Sequence, residues 1–295
     1  MECVRVAVIG VGRAGGAMGR ALFAAGYPIA AVWSRTLARA NALAAQTGAR
    51  VASSPVDAAC DAELVLLAVT DAQIVPLATA LAAESRRCAD AVVAHLSGAS
   101  GAGLLAPLAQ AGWRTAAFHP LQTFADEHSR LLPNTLFAIE ADDCDAAMLT
   151  QVAQRLGGQP LRLAAVDRPL YHAAAAITAN YTVTLISQAV GLLAQCGLSN
   201  TQALAALLPL LRGAVDNLDR VGLPDALTGP IVRGDSATVA GHLAALAARA
   251  PDVLPTYRAL GTATALLAQA RGTDASALEA IRVLLEGRQD DKMTR

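Results

Sequence analysis

Short apolar segments alternate with helix-length amphipathic segments through the first half of the chain. The pattern predicts strands at residues 4–9, 29–34, 50–52, 64–69, 91–96 and 115–118, and helices at 14–25, 37–47, 74–83 and 104–111. Two further predicted strands, at 136–140 and 161–163, enclose a helix at 144–156. Strands that alternate with helices form parallel sheets covered on both faces. We therefore expect an α/β domain with a doubly wound, mostly parallel sheet.

The second half of the chain shows no strand pattern after residue 167. Its last predicted helices lie at 236–249, 252–269 and 274–286. We divide the chain into an α/β domain, residues 1–165, and an all-α domain, residues 166–295.

The segment 169–211 contains no Asp, Glu, Lys or Arg, and its length could cross a membrane. Its polar side chains and the break at 197–200 instead favour a helix buried between a domain and a second subunit. We expect a homodimer through the helical domain and no membrane association.

Composition narrows the class further. The chain has 295 residues, of which 54% are hydrophobic and 16% charged, so it can bury the cores of two domains. A net charge of -1 without a basic run argues against a nucleic-acid partner. The five cysteines are scattered and lack CxxC spacing, which predicts reduced thiols, a cytoplasmic location and no zinc site. The acidic cluster at 140–145 precedes a helix, which favours dipole compensation over a metal site.

A glycine-rich turn follows the first predicted strand. Gly10 permits a tight turn, Gly12 lets the backbone approach a pyrophosphate, and Gly15 allows close packing of the next helix. Arg13 and Ala14 open that helix, whose N-terminal N–H groups favour anions. An ordinary strand-to-helix turn is the alternative, but the position between strand and helix predicts a dinucleotide site.

The turn Ser34-Arg35-Thr36 follows the second predicted strand. Proteins that bind the unphosphorylated ribose of NAD carry an acidic residue at this position, whereas an arginine pairs with the 2′-phosphate of NADP. Arg39, one turn into the next helix, adds positive charge. The pattern therefore predicts NADP, with a solvated loop as the alternative.

Polar residues also follow the later strands, where ligands bind in doubly wound sheets. The Thr70 backbone is a candidate contact of the nicotinamide ribose, although Thr70 and Asp71 could simply cap a helix. Ser97 is a candidate substrate donor, or part of a small-residue turn. His119, held by the following proline, is a candidate proton carrier, or a structural histidine.

The basic residues limit the proton chemistry. The only lysine is Lys292, in the polar tail, and arginine is a poor proton donor. Proton transfer therefore falls to His, Tyr, Ser, an acid or water. On an uninterrupted α-helix His172 and Asn180 share one stripe, roughly 12 Å apart. We place both among the catalytic candidates, with helix packing as the alternative, and Arg233 as a carboxylate binder or a partner of Asp235.

These motifs in combination resemble a bacterial two-domain family. Its members are Rossmann-like proteins with a C-terminal helical domain of unknown function, provisionally labelled NADP oxidoreductases. The resemblance covers nearly the whole chain and rests on the glycine turn, on Ser34-Arg35, on the run from His119 to Phe124 and on residues 227–235. It implies the superfamily of pyrroline-5-carboxylate reductase, prephenate dehydrogenase and 6-phosphogluconate dehydrogenase, commonly dimeric through the helical domain.

The superfamily differs from this chain in an informative way. Its hydroxyacid dehydrogenases place a lysine four residues before an asparagine on the central helix. If Asn180 is that asparagine, Ala176 occupies the lysine position, and that proton relay is missing. Prephenate dehydrogenases, by resemblance, use a serine after a late strand and a histidine in a His-Pro motif, which Ser97 and His119 match.

The sequence thus favours an NADP(H)-dependent oxidoreductase acting on a small carbonyl, imine or alcohol in an interdomain cleft. Two alternatives remain open. One is a non-catalytic NADP-binding sensor or interaction protein, and the other is an NAD enzyme in which Arg35 is unused.

Overall fold

The computed structural model describes residues 4–84 and 90–287, which fall into two compact units, Met1–Asn180 and Tyr181–Arg295. This division lies later in the chain than the boundary predicted after residue 165, which stays a prediction. Lys292 and its tail lie outside the described residues, as do Cys3 and Cys88.

The first unit contains an eight-stranded sheet in the order β3-β2-β1-β4-β5-β6-β7-β8. The strands are β1 (Val6–Ile9), β2 (Ile29–Trp33), β3 (Arg50–Val51), β4 (Leu64–Leu67), β5 (Val92–His95), β6 (Arg114–Pro120), β7 (Leu136–Glu140) and β8 (Gln159–Arg162). All neighbouring strands pair in parallel except β6 and β7, which are antiparallel. The predicted doubly wound, mostly parallel sheet is therefore confirmed.

Helices connect these strands and cover the sheet. They are α1 (Arg13–Ala24), α2 (Leu37–Thr47), α3 (Pro55–Ala59), α4 (Asp71–Glu84), α5 (Ala106–Gln110) and α6 (Asp143–Arg155). The sequence prediction omits α3 and starts α4 too late. A 3₁₀ turn at Ala102–Leu105 precedes α5 and overlaps the start of the predicted helix at 104–111.

Burial on both faces of the sheet explains the continuous apolar strands. Val6 and Val8 of β1 pack into one core, while Ala7 and Ile9 pack into the core on the opposite face. Successive side chains of a strand point to opposite faces, so a strand covered on both sides needs no polar positions. The polar residues that do occur are consequently concentrated where the strands end.

After the sheet the chain becomes helical, with α7 (Arg168–Ala176), a π-helical turn at Ile177–Tyr181, α8 (Thr182–Ala194) and α9 (Asn200–Val221). A π-helical turn changes the angular spacing of side chains along a helix. The predicted stripe that joins His172 to Asn180 assumes unbroken α-helical spacing. That assumption is wrong here, because Asn180 lies inside the π-helical turn.

The second unit is helical throughout its regular elements. After α8 and α9 come α10 (Ser236–Arg249), α11 (Leu254–Ala270) and α12 (Ala275–Glu286), whose apolar faces form a separate core around Val239, Ala265 and Ile281. The predicted helix at 236–249 is confirmed.

The helix at Ala165–Ala194 is long and apolar enough to cross a membrane by length and composition, and none of its apolar window is buried within the chain. No other span of this kind occurs among the described residues. Such a helix alone is weak support for a membrane protein, since helices that pack against other protein pass the same test.

Cys60 is disulfide-bonded, whereas Cys144 and Cys196 are free. The prediction that all five cysteines are reduced thiols is therefore wrong for Cys60. The sequence lacks any spacing signal that distinguishes this cysteine from the others.

Candidate functional site

The three glycines after β1 meet different demands. Gly10 has φ +98°, and a methyl group on it would lie 2.6 Å from the carbonyl oxygen of Ala68. A methyl group on Gly15 would lie 2.0 Å from the carbonyl oxygen of Gly10. Side chains at these two positions would collide with the protein's own backbone, so the turn itself requires both glycines.

Gly12 is different, because a methyl group on it would meet no atom within 4 Å. Gly12 is also the N-cap of α1, which has no side-chain cap and no acidic residue in its first turn. Unpaired N–H groups at the start of a helix bind anions well. Since packing does not require a glycine here, Gly12 leaves space that a phosphate can use.

The turn after β2 carries two unpaired cations. Ser34 Oγ accepts a hydrogen bond from the Thr36 N–H at 3.3 Å, which folds the turn at the start of α2. Arg35 and Arg39 are exposed, and neither guanidinium makes a hydrogen bond or ion pair with the residues that the structure describes. Both remain available to an anionic ligand.

One pocket brings these features together. It has a volume of about 230 Å³, and its lining combines the glycine turn, the turn after β2 and the start of α4. Nine of the predicted or associated residues line it: Gly10, Val11, Gly12, Ser34, Arg35, Thr36, Arg39, Val69 and Thr70. The predicted cofactor residues Arg13, Ala14 and Gly15 do not line this pocket, although Arg13 and Gly15 belong to the same helix start.

Arg13 lines a larger neighbouring pocket of about 760 Å³. Its Nη1 donates to the Ala125 carbonyl at 3.3 Å, and Arg20 Nη2 donates to the carbonyls of Glu127 and Ser129. These bonds attach the loop after β6 to α1. Arg13 therefore helps to attach this loop, and the phosphate contact predicted for it stays a prediction.

The ends of β4 and β5 are linked by a serine and an aspartate. Ser97 is buried, and its hydroxyl donates to Asp71 Oδ2 at 2.8 Å while accepting from the Ser100 N–H at 3.3 Å. Because its one proton is engaged, Ser97 shapes the turn in this state. The carbonyl of Thr70 accepts from the Gln73 N–H at 2.8 Å, in the first turn of α4.

His95, which the sequence reasoning missed, supports the same turn. It is fully buried, its Nδ1 accepts from the Ser97 N–H at 3.1 Å, and its Nε2 donates to the Gly101 carbonyl at 2.9 Å. Burial lowers the pKa of His95, so the imidazole is neutral and held in one tautomer. A histidine inside an otherwise apolar strand is the sequence signal that could have revealed it.

His119 lies near the end of β6 and pairs with Tyr171 of α7. The distance from His119 Nδ1 to the Tyr171 hydroxyl is 2.8 Å, and the two rings meet edge to face at 5.6 Å. The other end of the imidazole abuts Gly98, where a methyl group would lie 2.6 Å from Nε2. Tyr171 is thus a functional candidate that does not appear among the sequence-based candidates.

The environment keeps this pair uncharged. Burial, reinforced by the positive charge of Arg168, lowers the pKa of His119 to about 4. Burial raises the pKa of Tyr171 to about 12, against a smaller opposite effect of Arg168. At neutral pH, His119 is an imidazole and Tyr171 a phenol.

Arg168 carries a buried positive charge in this region. It is only 1% exposed, and its Nε donates to Glu140 Oε2 at 2.7 Å. Glu140 Oε1 also accepts from the Ala102 N–H at 3.1 Å. Glu140 therefore does not act as the predicted partner of the α6 dipole, whereas Asp143 and Asp145 do lie in the first turn of α6. The described residues contain no group of three or more His, Cys, Asp or Glu side chains that could hold a metal ion.

The remaining candidates stand apart from this arrangement. His172 is exposed and close enough for its charge to lower the pKa of His119. Asn180 is exposed in the π-helical turn. In the second unit, Asp235 caps α10 by accepting from the Thr238 N–H at 3.0 Å, so the alternative of a direct pair with Arg233 is not what the structure shows.

Comparison with known proteins agrees with this fold. Residues 2–120 match the Rossmann-like domain, and residues 135–264 match a domain of unknown function, DUF2520. The chain thus belongs to the class of two-domain Rossmann-like proteins. Within that class, it is a protein that joins a Rossmann-like domain to a DUF2520 domain, as the sequence resemblance predicts. No curated protein sequence matches the chain.

Several solved structures share the fold at low sequence identity. A Bacteroides fragilis protein provisionally named an NADP oxidoreductase is 24% identical, with a TM-score of 0.72 over 90% of this chain and 98% of its own. An Aspergillus terreus reductive aminase in complex with NADPH is 20% identical, with a TM-score of 0.59 over 97% and 93%. A pyrroline-5-carboxylate reductase from Streptococcus pyogenes is 16% identical, with a TM-score of 0.62 over 97% and 98%.

Proposed function

We propose that the protein is an NADP(H)-dependent oxidoreductase that transfers a hydride between the nicotinamide and a small carbonyl, imine or alcohol. The observation that carries this proposal is the pocket in which the open backbone at Gly12 faces the same space as Arg35 and Arg39. The reductive aminase and reductase likenesses support the same class of chemistry.

The chain's own residues fit the phosphates of the cofactor. The N–H groups at the start of α1 would hold the pyrophosphate, for which the bare backbone at Gly12 leaves room. Arg35 would pair with the 2′-phosphate, with Ser34 and Thr36 beside it and Arg39 adding charge. Thr70, which also lines the pocket, would contact the nicotinamide ribose through its backbone.

The pair of His119 and Tyr171 supports the proton-transfer part of the proposed reaction. The bound nicotinamide supplies or accepts the hydride. Proton transfer to or from the substrate requires a group that can give a proton at neutral pH, and within the described residues no lysine is present. Ser97, His172 and Asn180 remain candidates for orienting the substrate.

Turnover distinguishes this proposal from a non-catalytic sensor. The purified protein would be incubated with NADPH and pooled small carbonyl, imine and keto-acid compounds, and NADPH absorbance would be followed. An oxidoreductase consumes NADPH with at least one pool, whereas a sensor binds NADPH without consuming it. Absence of NADPH binding contradicts both.

We also propose a homodimer that forms through the helical region. Helix α8 has no buried residue and α9 only Ala203, although these helices pack against each other. Large apolar side chains therefore face outward, including Val183 and Leu210, which are 71% and 72% exposed. A large apolar surface on a single chain marks an interaction site, and two-fold homodimers are the commonest oligomers, which favours a second copy of the chain.

A further inference from the structure

The two ends of the His119 imidazole have different surroundings. Nδ1 lies 2.8 Å from the Tyr171 hydroxyl. Nε2 abuts Gly98, where even a methyl group would come within 2.6 Å, and among the described residues it has no hydrogen-bond partner. His119 therefore offers its hydrogen bond to one group, the hydroxyl of Tyr171.

The tautomer follows from this asymmetry. A neutral imidazole carries one proton, on either Nδ1 or Nε2. A proton on Nε2 would face Gly98 without an acceptor, and an unpaired donor in a partly buried site is costly. A proton on Nδ1 leaves no unpaired donor, because Nδ1–H then donates to the Tyr171 oxygen. The hydroxyl proton of Tyr171 is then free to point elsewhere.

We propose that Tyr171 is the catalytic proton donor of the oxidoreductase and that His119 is its positioning residue. The inference rests on the proposed function and assigns the proton step within it. As the hydride forms a C–H bond at the carbonyl or imine carbon, the Tyr171 O–H bond breaks and its proton goes to the substrate oxygen or nitrogen. The phenolate that remains takes a proton from solvent, and alcohol or amine oxidation runs through the reverse steps.

The surroundings of Tyr171 suit this role. The Nδ1–H of His119 would stabilise the phenolate that forms, as would the positive charge of Arg168, which is buried close by. Tyr171 itself is only partly buried, while the inward side of the pair is closed by Gly98. Tyr171, and not the His119 imidazole, is therefore placed to donate a proton to a substrate.

A second histidine–tyrosine pair supplies the matched control. In the second unit, His242 Nδ1 lies 2.8 Å from the Tyr257 hydroxyl, and these rings also meet edge to face, at 5.9 Å. Removing the Tyr257 hydroxyl thus deletes the same kind of contact at a place remote in sequence from the strand ends. Tyr257→Phe controls for the structural effect of losing the bond.

The first test needs no substrate. Nitrogen-15 NMR of the histidine rings, with His119 assigned by comparison with His119→Asn, reports which ring nitrogen carries the proton. The inference requires Nδ1–H. A proton on Nε2 overturns it, because Tyr171 would then be donating its own proton to His119.

The second test compares variants in NADPH binding and turnover. We expect Tyr171→Phe to bind NADPH within about twofold of the parent and to lose turnover by about 100-fold or more, the usual contribution of a general acid. Tyr257→Phe should keep parental turnover. His119→Asn, whose amide can still donate to Tyr171, should keep at least about a tenth of the turnover, whereas His119→Phe should fall as far as Tyr171→Phe.

These outcomes separate the two proposals. If Tyr171→Phe turns over NADPH at the parental rate, or if His119→Asn falls as far as His119→Phe, the assignment of Tyr171 is overturned while the oxidoreductase stands. If the parent fails to bind NADPH, the proposed function is overturned.

Discussion

Ser97 Oγ donates a hydrogen bond to Asp71 Oδ2 at 2.8 Å, which joins the turn after β5 to the first turn of α4. Ser97 is 7% exposed, and its hydroxyl also accepts from the Ser100 N–H. Two strand ends on the carboxyl side of the sheet are thereby held together. The bond stabilises the region in which His119 and Tyr171 meet.

Ser97→Ala removes this link, and we expect it to reduce the free energy of unfolding by about 2 kcal/mol, because a buried bond to a carboxylate is lost. Urea unfolding measures the effect. Ser53→Ala is the control, since Ser53 donates to Asp57 Oδ2 at the same 2.8 Å on the exposed surface. Equal losses of unfolding free energy in the two variants would show that the buried Ser97 bond stabilises the fold no more than the exposed Ser53 bond does.

The glycines after β1 yield a second prediction. Gly15→Ala places a methyl group 2.0 Å from the Gly10 carbonyl oxygen, so we expect a loss of about 3 kcal/mol or more in unfolding free energy. Gly12→Ala meets no atom and should change stability by less than about 0.5 kcal/mol. Its methyl group would instead occupy the proposed phosphate space and weaken NADPH binding by about tenfold or more, as fluorescence titration would detect. Unchanged NADPH affinity in Gly12→Ala would argue against a cofactor at this turn.

The pH dependence of stability tests the burial of His119. Its pKa falls from 6.5 to about 4 on folding, so the unfolded state binds a proton that the folded state does not between these values. Stability from this group is present above pH 6.5 and is lost as the pH falls toward 4. Between pH 7 and pH 5 we expect a loss of about 2 kcal/mol that His119→Gln lacks. His128→Gln, which changes an exposed histidine, should behave like the parent in the same urea titrations.

The first unit shows which features a sequence can reveal. The strand, the glycine turn and α1 follow from local pattern, because Gly10 has a positive φ and a methyl group on Gly15 would collide with Gly10 in the same short segment. The contact of His119 with Tyr171 joins residues 52 positions apart, and helical periodicity alone does not indicate it. The burial of Arg168 could not be predicted either, because a charged residue at a helix start is normally expected in solvent and this one is 1% exposed.

The helical region shows a different limit. The uncharged run 169–211 predicts burial, yet α8 has no fully buried residue within one chain. Periodicity could not place His172 and Asn180 either, because it contains no signal for the π-helical turn at Ile177–Tyr181. The described part of the chain leaves this surface open, and its covering by a second copy is a proposal.

Substitutions on this surface test the proposed dimer. Light scattering of the parent in detergent-free buffer should give twice the mass of one chain. Val183→Asp should shift the protein toward monomer, because a charge in an apolar interface is costly. Leu132→Asp, at a residue that is 60% exposed in the first unit, should leave the dimer intact. A parent that is monomeric, or soluble only in detergent, would contradict the proposal.

Cofactor preference tests the central claim most directly. NADPH and NADH would be titrated against the parent and Arg35→Ala under identical salt conditions, since Arg35 has no ion-pair partner among the described residues and is free for a 2′-phosphate. A charge-assisted bond to phosphate corresponds to roughly 10- to 100-fold in affinity. We expect the parent to prefer NADPH by at least about tenfold, and Arg35→Ala to lose that preference while keeping its affinity for NADH. Equal affinities of the parent for NADPH and NADH, unaltered in Arg35→Ala, would contradict the claim that this pocket reads NADP.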